Sequence, residues 1–213
     1  MSTLFDLISY ITYAALAIVA LWGGFNVVLA WRRVAQVRFK DELEQEEFLD
    51  ELDRYLLSGR INDAIELCED DRRATSQLAL YAIEMREMDF PKLRRRLQER
   101  FQQDVLADLE HRLSWVATVI KSAPMIGLFG TVIGMMGAFK DLASGTKVDP
   151  TQMANNITFA LITTAVGLAI AVPLLLCNAS INVRIRKMED LVSYGLARLL
   201  DTMKTVNEAV QLA

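Results

Sequence analysis

Three long stretches of the chain carry almost no charged side chain, whereas the segments that follow the first and the third are rich in charge. The uncharged stretches are residues 7–31, 115–139 and 151–183, and the second is charged only at Lys121. An α-helix needs about 20 apolar residues to cross a hydrocarbon core of about 30 Å. The pattern therefore predicts an integral membrane protein with three transmembrane helices.

Residues 1–31 are predicted to hold an outward-facing N-terminus and an uncleaved first span. The apolar stretch is too long for the core of a secretory signal, and the opening residues MSTLFD contain no basic residue. Pro124 and Pro173 fall within the second and third spans. Neighbouring groups in a membrane bundle can bond the carbonyl that a proline leaves unpaired, so we expect a kink at each proline.

Basic residues orient the three spans, because short basic segments remain in the cytoplasm. They follow the first and third spans but are sparse between the second and third. Residues 32–114 and 184–213 are therefore predicted to be cytoplasmic, and residues 140–150 are predicted to form a short outer loop. The basic residues are Arg32, Arg33, Arg38 and Lys40, then Arg184, Arg186 and Lys187, with Lys140 and Lys147 in the loop, whose turn residues are Ser144, Gly145, Asp149 and Pro150.

The cytoplasmic segments are predicted to be helical, which makes the fold all-α. Residues 32–57 lack Gly and Pro, so the first span is expected to continue as one helix as far as Ser58-Gly59. Two shorter amphipathic helices follow, separated by residues 70–73, and the second ends near Phe90-Pro91. From Lys92 one helix is expected to run into the second span, so that two spans extend into the cytoplasmic domain.

Apolar seams run along two of these helices. The first seam precedes the second span at four-residue steps, and the second follows the third span and must pack on another helix or on another copy of the chain. Self-association is therefore expected. The first seam consists of Leu93, Leu97, Phe101, Val105, Leu109 and Leu113, and the second consists of Ile185, Met188, Val192, Leu199, Met203, Val206 and Val210.

Composition limits the partners and the chemistry. The net charge of -4 argues against nucleic acid as a main partner, whereas the spans require a lipid bilayer. Cys68 and Cys177 have no second Cys or His at metal-ligand spacing and are interpreted as reduced structural thiols. His111 and the basic run at residues 94–96 are interpreted as parts of solvated helix faces. Since no metal, cofactor or catalytic motif is found, the chain is predicted not to be an enzyme.

Small residues recur at steps of three and four along the second and third spans. Such faces let helix backbones approach closely and let hydroxyl groups bond across the interface. The residues alone leave two interpretations open, because Thr131 and Thr164 either bond carbonyl groups of their own helices or line a polar path. The small residues are Gly127, Gly130, Gly134, Gly137 and Ala138 in the second span and Ala160, Gly167 and Ala171 in the third.

Two segments carry a specific resemblance to a known family. The sequences SAPMIGLFGTVIGMMGAF, residues 122–139, and ALITTAVGLAIAVP, residues 160–173, resemble the paired signature of the MotA/TolQ/ExbB proton-channel family, in its three-span ExbB and TolQ branch. HRLSWVATVI, residues 111–120, and SGRINDAIELCED, residues 58–70, extend the similarity. The order, spacing and topology of these segments agree with the family over most of the chain.

The resemblance implies a subunit of an ion-driven motor in the bacterial inner membrane, with a periplasmic N-terminus and a cytoplasmic C-terminus. Family members assemble as homo-oligomers, typically pentamers, around the single spans of two partner subunits of the ExbD/TolR type. Each partner carries an intramembrane Asp through which protons cross. A TonB/TolA-like protein is a further partner that the resemblance suggests.

By position, Thr131 and Thr164 match the family threonines that face the partner spans. Thr163 is an additional candidate for the proton pathway, or else a second packing hydroxyl. Phe159 stands where a Glu often begins the third-span motif, so the titrating group is expected to come from the partner. The residues expected to pack the helices and shape the pore are Pro124, Gly127, Gly130, Gly134, Gly137, Gly167 and Pro173.

Three functions follow from these observations. The leading hypothesis is a proton-channel subunit that couples the proton motive force to mechanical work across the envelope, for outer-membrane transport or envelope maintenance. The second is a non-conducting oligomeric membrane scaffold, consistent with the missing Glu. The third is a stator of another surface motility or transport machine, although the three-span layout differs from the four-span plan of flagellar stators.

Overall fold

The computed structural model describes residues 2–143 and 150–212, and every regular element within these ranges is a helix. The all-α prediction is confirmed for this part of the chain. The predicted loop residues Ser144, Gly145, Lys147 and Asp149 lie outside the described residues. The elements are α1 (Ser2–Val37), α2 (Glu42–Leu57), α3 (Ile61–Glu69), α4 (Ala74–Glu84), α5 (Phe90–Phe101), a π-helical segment (Gln102–Leu106), α6 (Ala107–Ala143) and α7 (Pro150–Leu212).

Three helical segments are long and apolar enough to cross a membrane, namely Leu7–Val37, Phe90–Lys140 and Pro150–Asn207. The prediction of three spans is confirmed, and the chain is a multi-pass membrane protein. Between 22% and 28% of the residues in their most apolar windows are buried within the chain. Most of the surface of the spans is therefore left for lipid or for other chains.

The first span does not continue through α2 as one helix, so that prediction is wrong. α1 ends at Val37 and α2 begins at Glu42, although neither Gly nor Pro lies between them. The ring of Phe39, which is 2% exposed, packs 5.6 Å from the ring of Phe48 and lies 3.9 Å below the guanidinium of Arg73. The chain bends because burial of this ring by residues distant in sequence overrides local helix propensity.

Two further helix boundaries differ from the prediction. α4 ends at Glu84 and not near Phe90-Pro91, because its buried apolar face ends with Ile83 and the backbone N–H of Met88 bonds the carbonyl of Met85 in a turn. α5 begins at Phe90, with Pro91 in the first turn, where the N–H that proline lacks has no intrahelical acceptor. The π-helical segment connects α5 to α6. None of its residue types had indicated a π-helix in the sequence.

The chain divides into two compact units. The first consists of residues 1–29 and 112–180, and the second consists of residues 30–111 and 181–213. The first unit contains the intramembrane glycines and threonines that the sequence singled out. The second unit contains α2 to α5 and the C-terminal part of α7.

Most residues of the two predicted seams are buried within the chain, but Val206 is half-buried and the side chain of Val210 lies outside the described residues. Members of the seam on α7 are shielded by α2 and α4, since the Gln45 amide donates to the Leu191 carbonyl at 2.7 Å. A Cβ atom on Gly195 would lie 2.9 Å from Thr75. This seam therefore packs on helices of its own chain and does not require a second copy, so self-association remains a prediction. The buried seam residues are Leu93, Leu97, Phe101, Val105, Leu109, Ile185, Met188, Val192, Leu199 and Met203.

Arg73 joins three parts of the second unit. Its guanidinium bonds both carboxylate oxygens of Asp71, at 2.8 and 2.9 Å, and Glu44 of α2 at 2.8 Å, while it covers the ring of Phe39. Asp71 also accepts from the backbone N–H of Arg73 and from the hydroxyl of Ser76 at 2.6 Å. These bonds fix the turn before α4 against the bend after α1.

We expect the substitution Asp71→Asn to destabilise the protein at neutral pH. Burial raises the pKa of Asp71, but hydrogen bonds from Arg73 and Ser76 offset this effect and leave the pKa below its usual value. The lowered pKa means that the ionised carboxylate adds stability above the unfolded-state pKa of about 4, and that this stability is lost as the pH falls through the folded-state pKa. The expected loss at pH 7 is about 2 kcal/mol, typical of hydrogen bonds to a charged group.

Thermal unfolding of the purified protein in detergent, measured between neutral and acidic pH, checks this expectation. Asp70→Asn is the matched control, because Asp70 is adjacent and exposed. The unfolding temperature of Asp71→Asn should fall clearly below that of the control at pH 7 and approach it below pH 4. A gap between the two variants that stays constant across this range would show that the charge of Asp71 does not stabilise the turn.

Both cysteines have free thiols. Cys68 is fully buried, and this burial, together with the negative charge of Asp71, raises the pKa of the thiol to about 12. The thiol is therefore neutral at physiological pH and packs as a small apolar side chain.

Candidate functional site

The spans of α6 and α7 run antiparallel and approach closely over their small residues. From the C-terminal to the N-terminal end of the α6 span, the glycines contact residues that lie progressively later in α7. Gly137 faces Asn156, Gly134 faces Ala160 and Gly130 faces Thr163. A Cβ atom on Gly134 would lie 2.6 Å from the carbonyl oxygen of Asn156. Because a Cβ atom on α6 would clash at this distance, the glycines of α6 allow the two backbones to come so near.

The tightest part of this contact is centred on Gly127. A Cβ atom there would lie 2.7 Å from the carbonyl oxygen of Thr163 and 2.9 Å from Cα of Thr164. On the other helix, a Cβ atom on Gly167 would lie 2.6 Å from the carbonyl oxygen of Ala123. These atoms belong to backbones, which cannot rotate away as a side chain could.

Three threonine hydroxyls converge on the carbonyl oxygen of Gly127. Thr164 approaches it at 3.1 Å, Thr131 at 3.2 Å and Thr163 at 3.3 Å. The hydroxyls of Thr131 and Thr164 are also 2.7 Å from each other. Thr131 thus bonds a carbonyl of its own helix and also bonds Thr164 across the interface, whereas the polar path remains a prediction.

The hydrogen bonds of Thr131 and Thr164 have two alternative arrangements. Each hydroxyl has one proton, and either oxygen of the pair can be the donor. In one arrangement Thr164 donates to Gly127 and Thr131 donates to Thr164, and in the other the two threonines exchange roles. In both arrangements each hydroxyl proton is used in a hydrogen bond within the pair or to Gly127. The oxygen of the threonine that donates to the other threonine accepts no bond from the pair and can accept one from another molecule.

The three threonines differ in their accessibility. Thr163 is fully buried between α6 and α7, where its hydroxyl also lies 3.0 Å from the carbonyl of Ala160. Thr131 and Thr164 are half-buried. Within this chain, Thr131 and Thr164 therefore keep some exposed surface, whereas Thr163 fills the space beside Gly130. The assignment of Thr163 to a proton pathway remains a prediction.

Phe159 packs against the first span. Its ring lies 5.4 Å from the ring of Tyr13 in an edge-to-face arrangement with an interplanar angle of 82°. The position at which the resemblance expects a Glu is thus filled by an aromatic contact. This contact joins α1 to α7 and supplies no carboxyl group.

The prolines lie within continuous helices. Pro124 is inside α6 and Pro173 is inside α7, so neither ends its helix. Pro124 lies at the close contact with Gly167, where a Cβ atom on the glycine would be 3.3 Å from Cα of the proline.

Two residues of the helix contacts were not singled out by the sequence. Asn156 packs on Gly137 and Gly134. The sequence contained a signal for this contact, because Asn156 is a polar residue inside a span and lies four residues before Ala160 on the small-residue face. Gly23 of α1 lies beside Val119 and Leu174, with a Cβ atom 2.8 Å from a side-chain atom of each. No feature of the pair Gly23-Gly24 distinguishes the packed glycine from its neighbour.

Metal ligation has no support among the described residues, where no group of three or more His, Cys, Asp or Glu side chains could hold an ion. The two buried polar residues of the first span bond their own helix. Thr12 donates to the Ile8 carbonyl at 2.9 Å, and Asn26 donates to the Trp22 carbonyl at 2.8 Å. The half-buried threonine pair on α6 and α7 is therefore the strongest candidate site in the first unit.

The model of the MotA/TolQ/ExbB proton channel family matches residues 69–193, which is more than half of the chain. The matched region includes the α6–α7 contact and the hydroxyl pair. The resemblance that the two span motifs indicated is thus confirmed.

Individual relatives carry names from the same family. A "biopolymer transport protein ExbB-like 2" of Helicobacter pylori is 41% identical over 85 residues, covering 40% of this chain and 55% of the relative. The Tol-Pal system protein TolQ of Haemophilus influenzae is 36% identical over 101 residues, covering 47% and 42%. A "biopolymer transport protein ExbB-like 1" of Synechocystis is 28% identical over 188 residues, covering 84% and 69%. The first two matches span about half the length of the relatives.

Proposed function

The chain belongs to the MotA/TolQ/ExbB proton channel family, and from this membership we propose that it is a proton-channel subunit that couples the proton motive force to mechanical work across the cell envelope. The observation that carries the proposal is the half-buried hydroxyl pair of Thr131 and Thr164, held on the Gly127 carbonyl within the matched region. The work is outer-membrane transport or envelope maintenance, in keeping with the names of the relatives.

The subunit needs a partner that supplies the titrating acid. Residues 7–31, 115–139 and 151–183 contain neither Asp nor Glu, and the position of Phe159 is apolar. We propose that an ExbD/TolR-like single-span protein carries the intramembrane Asp, and that several copies of this chain, five by family analogy, surround it in the inner membrane. Under this proposal the N-terminus is periplasmic and the C-terminus is cytoplasmic.

The hydroxyl pair distinguishes the two protonation states of such an acid. A protonated carboxyl group donates one hydrogen bond, and the pair offers an acceptor oxygen in either of its arrangements. An ionised carboxylate requires a donor, and the pair provides one only if a hydroxyl gives up its bond to the Gly127 carbonyl or to the other threonine. The pair therefore favours the neutral acid, and loss of the proton weakens the contact between the subunits.

The energy available for movement is sufficient. A membrane potential of 100 mV supplies about 2.3 kcal/mol for each charge that crosses. A net hydrogen bond contributes about 1 kcal/mol, so the passage of one or two protons suffices to release the partner acid from one subunit and bind it to the next.

A passive membrane scaffold is the second candidate function, and the contact of Phe159 with Tyr13 favours it. An aromatic pair replaces the acid that family members often carry, and the close α6–α7 contact needs no proton flow to be useful. The two functions differ in whether a partner with an intramembrane Asp co-assembles and whether protons cross.

The test is to extract the complex gently from its own membrane, determine its native mass and identify every chain in it. We expect several copies of this chain with a small single-span protein that carries an intramembrane Asp. Reconstituted into liposomes under a membrane potential, the complex should acidify the lumen, and Asp→Asn in the partner should abolish this flux.

The controls in this experiment separate assembly from conduction. The Asp→Asn complex must retain the native mass of the wild-type complex, so that the lost flux reports on the acid alone. A complex that contains only copies of this chain, or one whose proton flux is unaffected by the partner substitution, would refute the channel proposal and favour the scaffold.

A further inference from the structure

Trp31 and Arg184 are in contact in the second unit, and along the sequence Trp31 ends the apolar stretch of α1 while Arg184 directly follows that of α7. The guanidinium carbon of Arg184 lies 4.1 Å from the centre of the Trp31 ring, and Trp31 is 37% exposed. Tryptophan at the end of a span favours the membrane interface. A guanidinium stacked on a ring keeps the N–H groups of its edge available to another acceptor.

Neither Arg184 nor the nearest cation on its helix face has a carboxylate partner among the described residues. Arg33 illustrates the contrast, since it pairs with Asp108 at 3.7 Å. Lys187 is exposed and lies three residues after Arg184, on the same side of α7. Two unpaired positive charges thus lie within one helical turn of each other, with an interfacial tryptophan beside them.

We propose that Trp31, Arg184 and Lys187 form a binding site for the headgroup of an anionic phospholipid. The guanidinium edge matches the two anionic oxygens of a phosphodiester, and Lys187 adds a second positive charge. Val183, which precedes Arg184, is 56% exposed and offers apolar surface to an acyl chain. Basic groups at the end of a span attract anionic lipid from the adjoining leaflet.

Lipid retention by the full chain, purified with its co-assembled partners, tests the site. The complex is mixed in detergent with equal amounts of phosphatidylglycerol and phosphatidylcholine, and bound lipid is measured by native mass spectrometry. Wild-type protein should retain phosphatidylglycerol preferentially. Arg184→Gln and Lys187→Gln should each reduce its occupancy about fivefold, the effect of removing one basic residue from an anionic surface.

Arg186→Gln is the matched control, because Arg186 is exposed and carries the same charge on a different face of the helix. Its occupancy should remain near that of the wild type. Equal losses of phosphatidylglycerol occupancy in all three variants would show that the lipid responds only to net charge. Unchanged occupancy in Arg184→Gln or Lys187→Gln would show that these residues do not form the site. Either result overturns the proposal. Displacement of the bound lipid by excess inorganic phosphate would indicate a site for soluble anions and would also overturn it. Because Lys187 is exposed, its variant remains informative if Arg184→Gln misfolds.

Discussion

Substitution of Thr164 by valine is expected to reduce proton flux through the complex by about tenfold or more, while the complex keeps its native mass. Valine preserves the shape of threonine but removes the hydroxyl that bonds both the Gly127 carbonyl and Thr131. Loss of one member of a buried hydrogen-bonded group costs about 1–3 kcal/mol. Thr131 then has only the Gly127 carbonyl as acceptor, and the alternation between two proton arrangements is lost.

Two further variants show whether the hydroxyl itself is responsible. Thr164→Ser restores the oxygen without the methyl group and should recover most of the flux. Thr118→Val removes a hydroxyl from the exposed side of α6, where it bonds only its own helix at Ser114, and should leave the flux unchanged. All fluxes are measured in liposomes under the same potential. Wild-type flux in Thr164→Val, or failure of Thr164→Ser to recover it, would exclude the hydroxyl pair from the pathway.

Much of the fold could be predicted because it depends on local patterns. The spans follow from apolar length, and the buried seams of α5 to α6 and of α7 follow from helical periodicity. The bend after α1 could not be predicted, since it depends on Phe39 meeting Arg73, a residue from a distant part of the chain. Helix propensity favoured a continuous helix there, and tertiary contact decided otherwise.

The candidate site could likewise be predicted only in part. The small-residue faces were visible in the sequence, and the family resemblance indicated Thr131 and Thr164. Their shared acceptor was not visible, because it depends on the register of α6 against α7, which brings the Gly127 carbonyl beside residues on the other helix. The packing of Gly23, but not of Gly24, likewise depends on how α1 crosses its neighbours.

Substitution of Gly127 by valine should disrupt the contact between α6 and α7 and prevent isolation of a folded complex. The new side chain begins with a Cβ atom 2.7 Å from the carbonyl oxygen of Thr163 and 2.9 Å from Cα of Thr164. Because both are backbone atoms, the helices must separate, which also removes the bonds that hold the hydroxyl pair. Overpacking of this kind costs about 3 kcal/mol at the upper end of its usual range.

Gly24→Val is the matched control, since a Cβ atom on Gly24 meets no atom within 4 Å. This variant makes the same chemical change within a membrane helix and should unfold within a few degrees of the wild type, because valine favours a helix more than glycine does. Thermal unfolding and the yield of monodisperse protein after detergent extraction measure both effects. Similar stability of Gly127→Val and Gly24→Val would mean that α6 and α7 do not approach as closely as their glycines allow, and that the hydroxyl pair cannot depend on the Gly127 carbonyl.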